Sequence, residues 1–410
     1  MASKTLDGIK SIENFELEDK HVFLRLDLNL PLDDEGRITD DTRLRAALPT
    51  IQYAIDKGAK IVLASHLGRP KGKPDPKYSL EPIAQELNRV LEKEIILVEE
   101  PAGEATKTLL AGLKPSQIIL LENLRFDPGE EKNGRELAQT LASFTDIYIN
   151  DAFGASHRAH ASIVALPELV EKRGIGFLMK KEIEMLDRVR LNPDLPFVTI
   201  LGGAKVSDKI EVLELLLEKA DAVLIGGAMA YTFLAAQKIA TGNSLVEKDK
   251  VRFAADMIQR AATRNKRLLL PVDHVITTDI KETTNIKVTE SAAIPQGWMG
   301  VDIGPKTLEL FGQEMARAKT IFWNGPMGVF ESEVFSKGTF GVAERITSSQ
   351  AMSIVGGGDS AAAAQASGQA EKFSHISTGG GASLEFLQGE KLPGIEALRP
   401  PKRSEKVSEV

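Results

Sequence analysis

Ten short runs rich in β-branched residues and leucine recur along the chain, and each stops at a polar or glycine turn. They read "HVFLRLDLN", "KIVLASHLG", "IILLENLRF", "DIYINDAFG", "FVTILGG", "AVLIGGAM", "RLLLPVDHV", "TIFWNGPMG", "MSIVGGGD" and "HISTGGG". Most are separated by amphipathic helical patterns such as "RLRAALPTIQYAIDKG" and "KIEVLELLLEKA". Continuous apolar strands alternating with helices predict parallel sheets covered on both faces. So many strands exceed one comfortable doubly wound sheet, and 410 residues suit two or three domains. The stretch "GIGFLMKKEIEMLDRVRLNP" (174–193) reads as one long helix ending at Asn192-Pro193, a candidate linker between two α/β halves. The expected layout is therefore 1–173, a linker helix over 174–193, and 194–390. The closing "PPKRSEKVSEV" (400–410) is polar, a composition that stays partly disordered unless docked.

Ligands of open α/β sheets bind beyond the carboxyl ends of the strands, so those ends carry the functional information. The first half ends its strands with Asp27 and Asn29, His66 and Arg69, Arg125, then Asp151, His157 and Arg158. Guanidinium forks match carboxylate or phosphate oxygens, and imidazole and amide groups add donors. Together with Arg43, such a set predicts a small, multiply anionic ligand. The chain as a whole is acidic, with 51 basic against 58 acidic residues, so this clustering does not follow from composition. The same balance, with only 5% aromatic residues, offers no footprint for nucleic acid.

The second half ends its strands with Gly202-Gly203, Gly226-Gly227, "WNGPMG", "GGGD" and "GGG". Glycine lets backbone amides approach a phosphate, and a helix N-terminus adds partial positive charge. No P-loop pattern is present. "GGGDSA" (356–361) fits G-x-G-x-x-A, which raises an NAD-dependent dehydrogenase as an alternative. The next strand, however, ends in "STGGG" rather than at an acidic residue, so Asp359 suits a metal-bound nucleotide better. Lys205 and Lys209 are four residues apart, which places both on one face of the helix running on as "IEVLELLLEKA". Two cations there repel unless an anion lies between strand end and helix, and the position one turn beyond Lys209 is Leu213.

No cysteine occurs, which excludes disulfides and thiolate chemistry and suits a reducing compartment. The opening residues lack a signal-peptide pattern and no apolar run would span a bilayer, so a cytoplasmic protein without membrane contact is expected. No coiled-coil heptad argues for an oligomer.

Together these motifs resemble the phosphoglycerate kinase family. The similarity runs in order through "RLDLNLP" (25–31), "SHLGRPKG" (65–72), "LLENLRF" (120–126), "NDAFGASHRAHAS" (150–162), "LGGAKVSDKI" (201–210), "DIGPKT" (302–307), "WNGPMGVFE" (323–331), "GGGDS" (356–360) and "STGGGASLE" (377–385). The resemblance implies two Rossmann-like doubly wound domains joined by a helical hinge. It also implies reversible phosphoryl transfer between 1,3-bisphosphoglycerate with ADP and 3-phosphoglycerate with ATP, magnesium accompanying the nucleotide, in a monomer. By motif, Asp27, Asn29, Arg43, His66, Arg69, Arg125, His157 and Arg158 fall at the acid site. Lys205, Lys209, Gly300, Asn324, Glu331, Gly357, Gly358, Asp359 and Ser360 fall at the nucleotide site, with Glu331 on the ribose and Asp359 on the metal. Ser360 replaces a threonine common in the family and keeps the hydroxyl. Lys209 and Arg43, reaching from opposite halves, would stabilise the moving group with the amides of Gly358 and Gly380, while Lys205 holds the nucleotide phosphates; the two lysines could exchange these jobs. "KLPGIEAL" (391–398) resembles the segment that returns to the N-terminal domain, and hinge motion is expected around 174–193. A non-catalytic relative would require a lost group, whereas Lys209, Arg43 and Asp359 are all present.

Overall fold

A computed structural model of the chain describes residues 3–101, 103–281 and 284–400. It divides into two compact units, one formed by residues 1–184 with 390–410 and the other by residues 185–389. The closing residues 401–410, expected to be polar and partly disordered, lie outside the described residues.

The first unit is built on seven strands: β1 (Lys10–Ser11), β2 (His21–Leu26), β3 (Lys60–Ala64), β4 (Ile95–Val98), β5 (Ile118–Leu121), β6 (Ile147–Asp151) and β7 (Lys172–Ile175). They lie in the order β1-β7-β6-β2-β3-β5-β4 with every pairing parallel. Alternation along β2 sends Val22, Leu24 and Leu26 into a core with Ile61, Leu63, Ile118 and Leu120, closed by Ala47, Ile51 and Ala54 of the Thr42–Asp56 helix. Each fully buried leucine or isoleucine contributes about 1.5–3 kcal/mol. The opposite face of β2 carries Phe23, stacked on Tyr148 at 5.9 Å, and Arg25, which is fully buried.

The second unit holds β8 (Phe197–Leu201), β9 (Ala222–Ile225), β10 (Arg267–Leu269), β11 (His274–Thr277), β12 (Ile286–Val288), β13 (Met299–Ile303), β14 (Thr320–Asn324), β15 (Met352–Val355) and β16 (His375–Ile376). Six of them form a parallel sheet in the order β10-β9-β8-β14-β15-β16, and β12-β11-β13 form a small antiparallel sheet. Mixed α/β units with parallel sheets are thus as expected, but two local readings change. The run "RLLLPVDHV" is not one strand: Pro271, which has no N–H for a ladder, falls between β10 and β11. The predicted long helix spans Phe177–Arg190 only, because Gly174 and Ile175 pair with Lys10 and Ser11 in β7. Among the described residues no helix is long and apolar enough to cross a membrane.

Residues 390–399 pack into the first unit. Leu392, Ile395 and Leu398 are buried, the Gly394 amide donates to Ser156 O at 2.9 Å, and Asn150 Nδ2 donates to Gly394 O at 3.3 Å. A β-carbon on Gly394 would come within 2.8 Å of both Ser156 and Ile163. Arg399 donates to the carbonyls of Thr5 and Asp7, each at 2.9 Å.

Asp151, last residue of β6, caps the Phe177–Arg190 helix rather than facing a ligand. Its Oδ1 accepts the Met179 amide at 2.9 Å, and Gly176 is needed because a β-carbon there would meet the carboxyl carbon at 2.3 Å. Burial pushes the Asp151 carboxyl up to about 7. The folded protein therefore holds this proton more tightly than the unfolded chain, and the resulting stabilisation, full below the unfolded value near ~4, is lost as pH rises through about 7. Thermal midpoints measured from pH 4 to 8 are expected to fall less steeply with rising pH in Asp151→Asn than in the parent; equal slopes would refute this.

Candidate functional site

In the first unit the strand-end residues are tied to one another mainly through backbone carbonyls. Arg43, in the first turn of the Thr42–Asp56 helix, donates to Asn29 O at 3.1 Å and approaches Asp27 Oδ1 at 3.5 Å. Asn29 Oδ1 accepts the Gly68 amide at 2.9 Å, and Arg125 Nη1 donates to Gly68 O at 2.6 Å. Asn29, Leu30, Pro31, Asp40 and Arg43 line an open cavity of about 340 Å³. Arg69 is exposed and has no ion-pair partner among the described residues. Arg158 is exposed and donates through Nε to His157 Nε2 at 3.1 Å.

Beneath these groups lies a layer that strand-end reading misses. Asn123 uses its whole amide: Oδ1 accepts from Leu67 N (3.2 Å) and Arg125 N (3.1 Å), and Nδ2 donates to Leu67 O (2.7 Å) and Tyr78 O (2.9 Å). It thereby fixes the segments that carry His66 and Arg125. Arg25 donates through Nε to Ser162 Oγ at 2.8 Å, and its Nη2 lies 3.3 Å from His66 Nδ1 and 4.0 Å from the fully buried Glu130. Glu130 in turn accepts the Ser162 amide and hydroxyl at 3.0 and 2.6 Å. The signal for Arg25 was its spacing from Asp27, since residues two apart in a strand share a face.

Positive charge concentrates here. Burial, then the charges of Arg25, Arg125, His160 and Arg43, push the His66 imidazole well below its usual range. Burial followed by Arg125, Arg25 and Arg158 pushes His160 down to about 3. Both rings are neutral near pH 7, as expected where cations already crowd.

In the second unit the two lysines do not share a helical face. The helix begins at Ile210, Lys209 is its N-cap, Ser207–Lys209 forms one 3-10 turn, and Lys205 precedes both as an exposed loop residue. The start of this segment is bound by Glu247, forty residues on in sequence. Its carboxylate accepts the amides of Val206 and of Ser207 (3.2 Å) and the Ser207 hydroxyl (2.6 Å), capping the start of the 3-10 turn, and the break before the helix falls at Lys209, with φ −130° and ψ 10°. Lys209 is largely buried and donates to Asn324 Oδ1. Burial lowers its pKa, while the nearby Asp359 and Asp208 oppose the shift. Asn324 Nδ2 donates to Gly356 O at 2.6 Å, and the Gly325 amide donates to Ser360 Oγ at 2.5 Å. Lys209, Asn324, Ser360 and Asp359 are thereby gathered around the start of the Gly358–Ala366 helix.

The glycines divide into two kinds. Gly202, Gly227 and Gly325 are packing positions: β-carbons there would meet Pro326 O at 2.1 Å, Gly203 N at 2.5 Å and Gly202 O at 2.2 Å. Gly300 likewise admits the Tyr231 hydroxyl, which a β-carbon would meet at 1.9 Å. Gly358 and Gly380 face open space, at the starts of the Gly358–Ala366 and Gly381–Gln388 helices, neither of which has a side-chain cap. Gly357 is the N-cap of the first, with φ +90°. Only this second kind leaves helix-start amides free for an anion. Asp359 is exposed in the first helical turn, and Glu331 is exposed beyond Phe330. Among the described residues no cluster of three or more acidic or histidine side chains could hold a metal ion. A cation held by Asp359 therefore needs ligand oxygens from elsewhere, as magnesium takes them from phosphates and water.

Gly202→Ala is expected to lower unfolding stability by about 1–3 kcal/mol through overpacking, whereas Gly358→Ala leaves the denaturation midpoint within error of the parent. Equal losses in the two variants would contradict the division. Glu247→Gln should speed amide hydrogen exchange at Val206 and Ser207 at least tenfold without moving global stability by more than about 1 kcal/mol; unchanged exchange would remove Glu247 from its clamping role.

Comparison with known proteins accords with this arrangement. Residues 12–390 match the family model described as phosphoglycerate kinase. The phosphoglycerate kinase of Bdellovibrio bacteriovorus is 59% identical over 394 residues, covering 96% of this chain and 98% of that protein. That of Pseudothermotoga lettingae is 49% identical over 394 residues, covering 96% and 99%. Among solved structures, phosphoglycerate kinase from Coxiella burnetii superposes with a TM-score of 0.86 at 41% identity, covering 95% of this chain and 98% of that one. The enzyme from Pyrococcus horikoshii gives 0.83 at 36%, with the same coverage. With the match running through both units, the chain belongs to the phosphoglycerate kinase family.

Proposed function

We propose that the chain catalyses reversible phosphoryl transfer between 1,3-bisphosphoglycerate and ADP, yielding 3-phosphoglycerate and ATP, with the acid held by the first unit and the nucleotide by the second. The observation that carries the reading is the crowding of Arg25, Arg43, Arg125 and Arg158 around imidazoles that stay neutral. A small, multiply charged anion relieves that crowding. Arg43, Arg69, Arg125 and Arg158 supply charge to the acid's phosphate and carboxylate, His66 and His157 supply donors, and Asp27 and Asn29 orient Arg43. The NAD-dependent alternative gains nothing from these groups.

On the nucleotide side, the amides of Gly358 and Gly380 and the Lys205 ammonium take phosphate oxygens, and Lys209, steadied by Asn324, neutralises the group in transit. Gly357 and Ser360 hold the turn that presents these amides, with Gly300 and Glu331 contributing to the nucleoside side. Asp359 fits as the protein's ligand to magnesium, and the bound ion supplies charge neutralisation on the phosphate oxygens. No general base is needed, because the acceptor carboxylate is ionised near pH 7. Catalysis is then positioning and electrostatics. The substrates bind separate units, so transfer requires movement, which we assign to the segment 174–193. A glycolytic enzyme works where its substrates are, and we place this one in the cytoplasm as a monomer.

Phosphorus NMR of the protein with 3-phosphoglycerate and MgATP should show acyl-phosphate and ADP signals. Lys209→Ala should lower kcat at least about 100-fold. Saturable ATP binding without transfer would mean the acceptor is misassigned, and full activity in the variant would free Lys209 of its role.

A further inference from the structure

Arg25 makes no approach to the open cavity lined by Asn29 and Arg43, yet its guanidinium is fully buried and one nitrogen faces His66 Nδ1 at 3.3 Å. A guanidinium carries only donors, so a ring nitrogen that it contacts must present a lone pair. A neutral imidazole with its lone pair on Nδ1 carries its proton on Nε2. His66 Nε2 has no hydrogen-bond partner among the described residues, and it is not one of the side-chain atoms sealed from solvent without a partner. The guanidinium itself is held in place by three further contacts: Ser162 Oγ at 2.8 Å, the Leu26 carbonyl, and Glu130 at 4.0 Å. Its direction toward His66 is therefore set by the core rather than by the ligand.

We propose that Arg25 is a positioning residue that fixes His66 as the Nε2–H tautomer, so that the imidazole serves the acid substrate as an uncharged hydrogen-bond donor. The proposal rests on the assignment of 3-phosphoglycerate to the first unit. An unconstrained imidazole would divide between two tautomers, one of which turns a lone pair toward an anionic oxygen and repels it. After burial, the groups that bear most on the ring are Arg25, Arg125, His160 and Arg43, while the one buried carboxylate of this layer, Glu130, lies behind Arg25 at 4.0 Å and beside His160 at 3.9 Å. The arginines disfavour a second proton, so the donor persists without titrating through the physiological range.

The test is a two-bond proton–nitrogen correlation spectrum of the full chain labelled with 15N-histidine, from pH 5 to 8, with His66 identified as the signal missing from His66→Gln. The expected pattern is a protonated Nε2 and an unprotonated Nδ1 that do not titrate. A protonated Nδ1, or a ring titrating near the ordinary histidine value, would overturn the proposal. In Arg25→Met the ring should populate both tautomers and begin to titrate, and the KM for 3-phosphoglycerate should rise about tenfold at pH 8 and recover toward the parent value at pH 6. A uniform loss at all pH values would mark a merely structural role. Adding 3-phosphoglycerate to the parent protein should shift the Nε2 resonance. A fixed Nε2–H tautomer without that shift would refute the use of His66 for the acid and point to the substrate assignment as the part that fails.

Discussion

A parallel sheet releases every strand at the same edge, and each departing segment must turn at once to enter its crossover helix. Backbone polar groups at that edge have lost their ladder partners and still require satisfaction. Both units face this requirement and meet it differently. In the first, side chains bind the loose backbone: Arg125 and Arg43 donate to carbonyls, and Asn123 serves three segments, at Leu67, Tyr78 and Arg125, with its four hydrogen bonds. In the second, much of the loose backbone binds backbone, with the Gly202 amide on Asn324 O and the Gly203 amide on Pro326 O, each at 3.0 Å, and the side chains that join in, Asn324 and Ser360, are uncharged. One edge thus ends up rich in cations and the other rich in exposed amides. Those are two distinct ways to receive an anion.

The cationic edge is possible because its charges do not all need carboxylate partners. Arg25 and Arg125 engage carbonyl, hydroxyl and imidazole acceptors, while their carboxylate neighbours stand further off: Glu130 lies 4.0 Å from Arg25, and the exposed Glu131 3.3 Å from Arg125 Nε. The ion pairs that do occur, Arg43 with Asp27 at 3.5 Å and Arg125 with Glu131 at 3.3 Å, are single contacts that leave the cations in excess of the carboxylates. Hydrogen bonds to neutral acceptors hold a guanidinium in place and leave its charge in effect. The glycine edge follows a parallel logic: those glycines that let strands approach closely are spent on packing, and only the helix-start positions remain to serve a ligand.

Sequence patterns reveal the parallel sheets because continuous apolar runs with abrupt polar ends have few other uses. They reveal less about elements whose partners are remote. The end of β7 reads as helix because Gly174 and Ile175 acquire strand character by pairing with Ile149 and Asn150 of β6 on one side and with Lys10 and Ser11, more than 160 residues earlier, on the other. The Lys205–Lys209 segment reads as helix because local spacing says so, while its first amides are capped by the remote Glu247 and the backbone breaks at Lys209 before the helix proper. Arg25 sits in plain view beside Asp27, but composition gives an arginine no reason to be buried. The small antiparallel sheet is hidden for the reverse reason: β12 is short and partly exposed, and its alternation is too brief to register. At the glycine turns, the sequence is the same for a packed glycine and an open one; only the distance to the facing backbone separates them.

The membership of residues 390–399 in the first unit has a consequence for how the chain is made. The second unit is contiguous, from residue 185 to residue 389, and every one of its residues has been translated before Gly394 is added. Until then Asn150 Nδ2 and the Ser156 carbonyl lack their bonds to Gly394, and the surface destined for Leu392, Ile395 and Leu398 stays wet. The half of the protein that begins synthesis first is therefore the half that finishes folding last. A nascent chain on the ribosome would carry a completed second unit while the unit ahead of it still waits for its final turn.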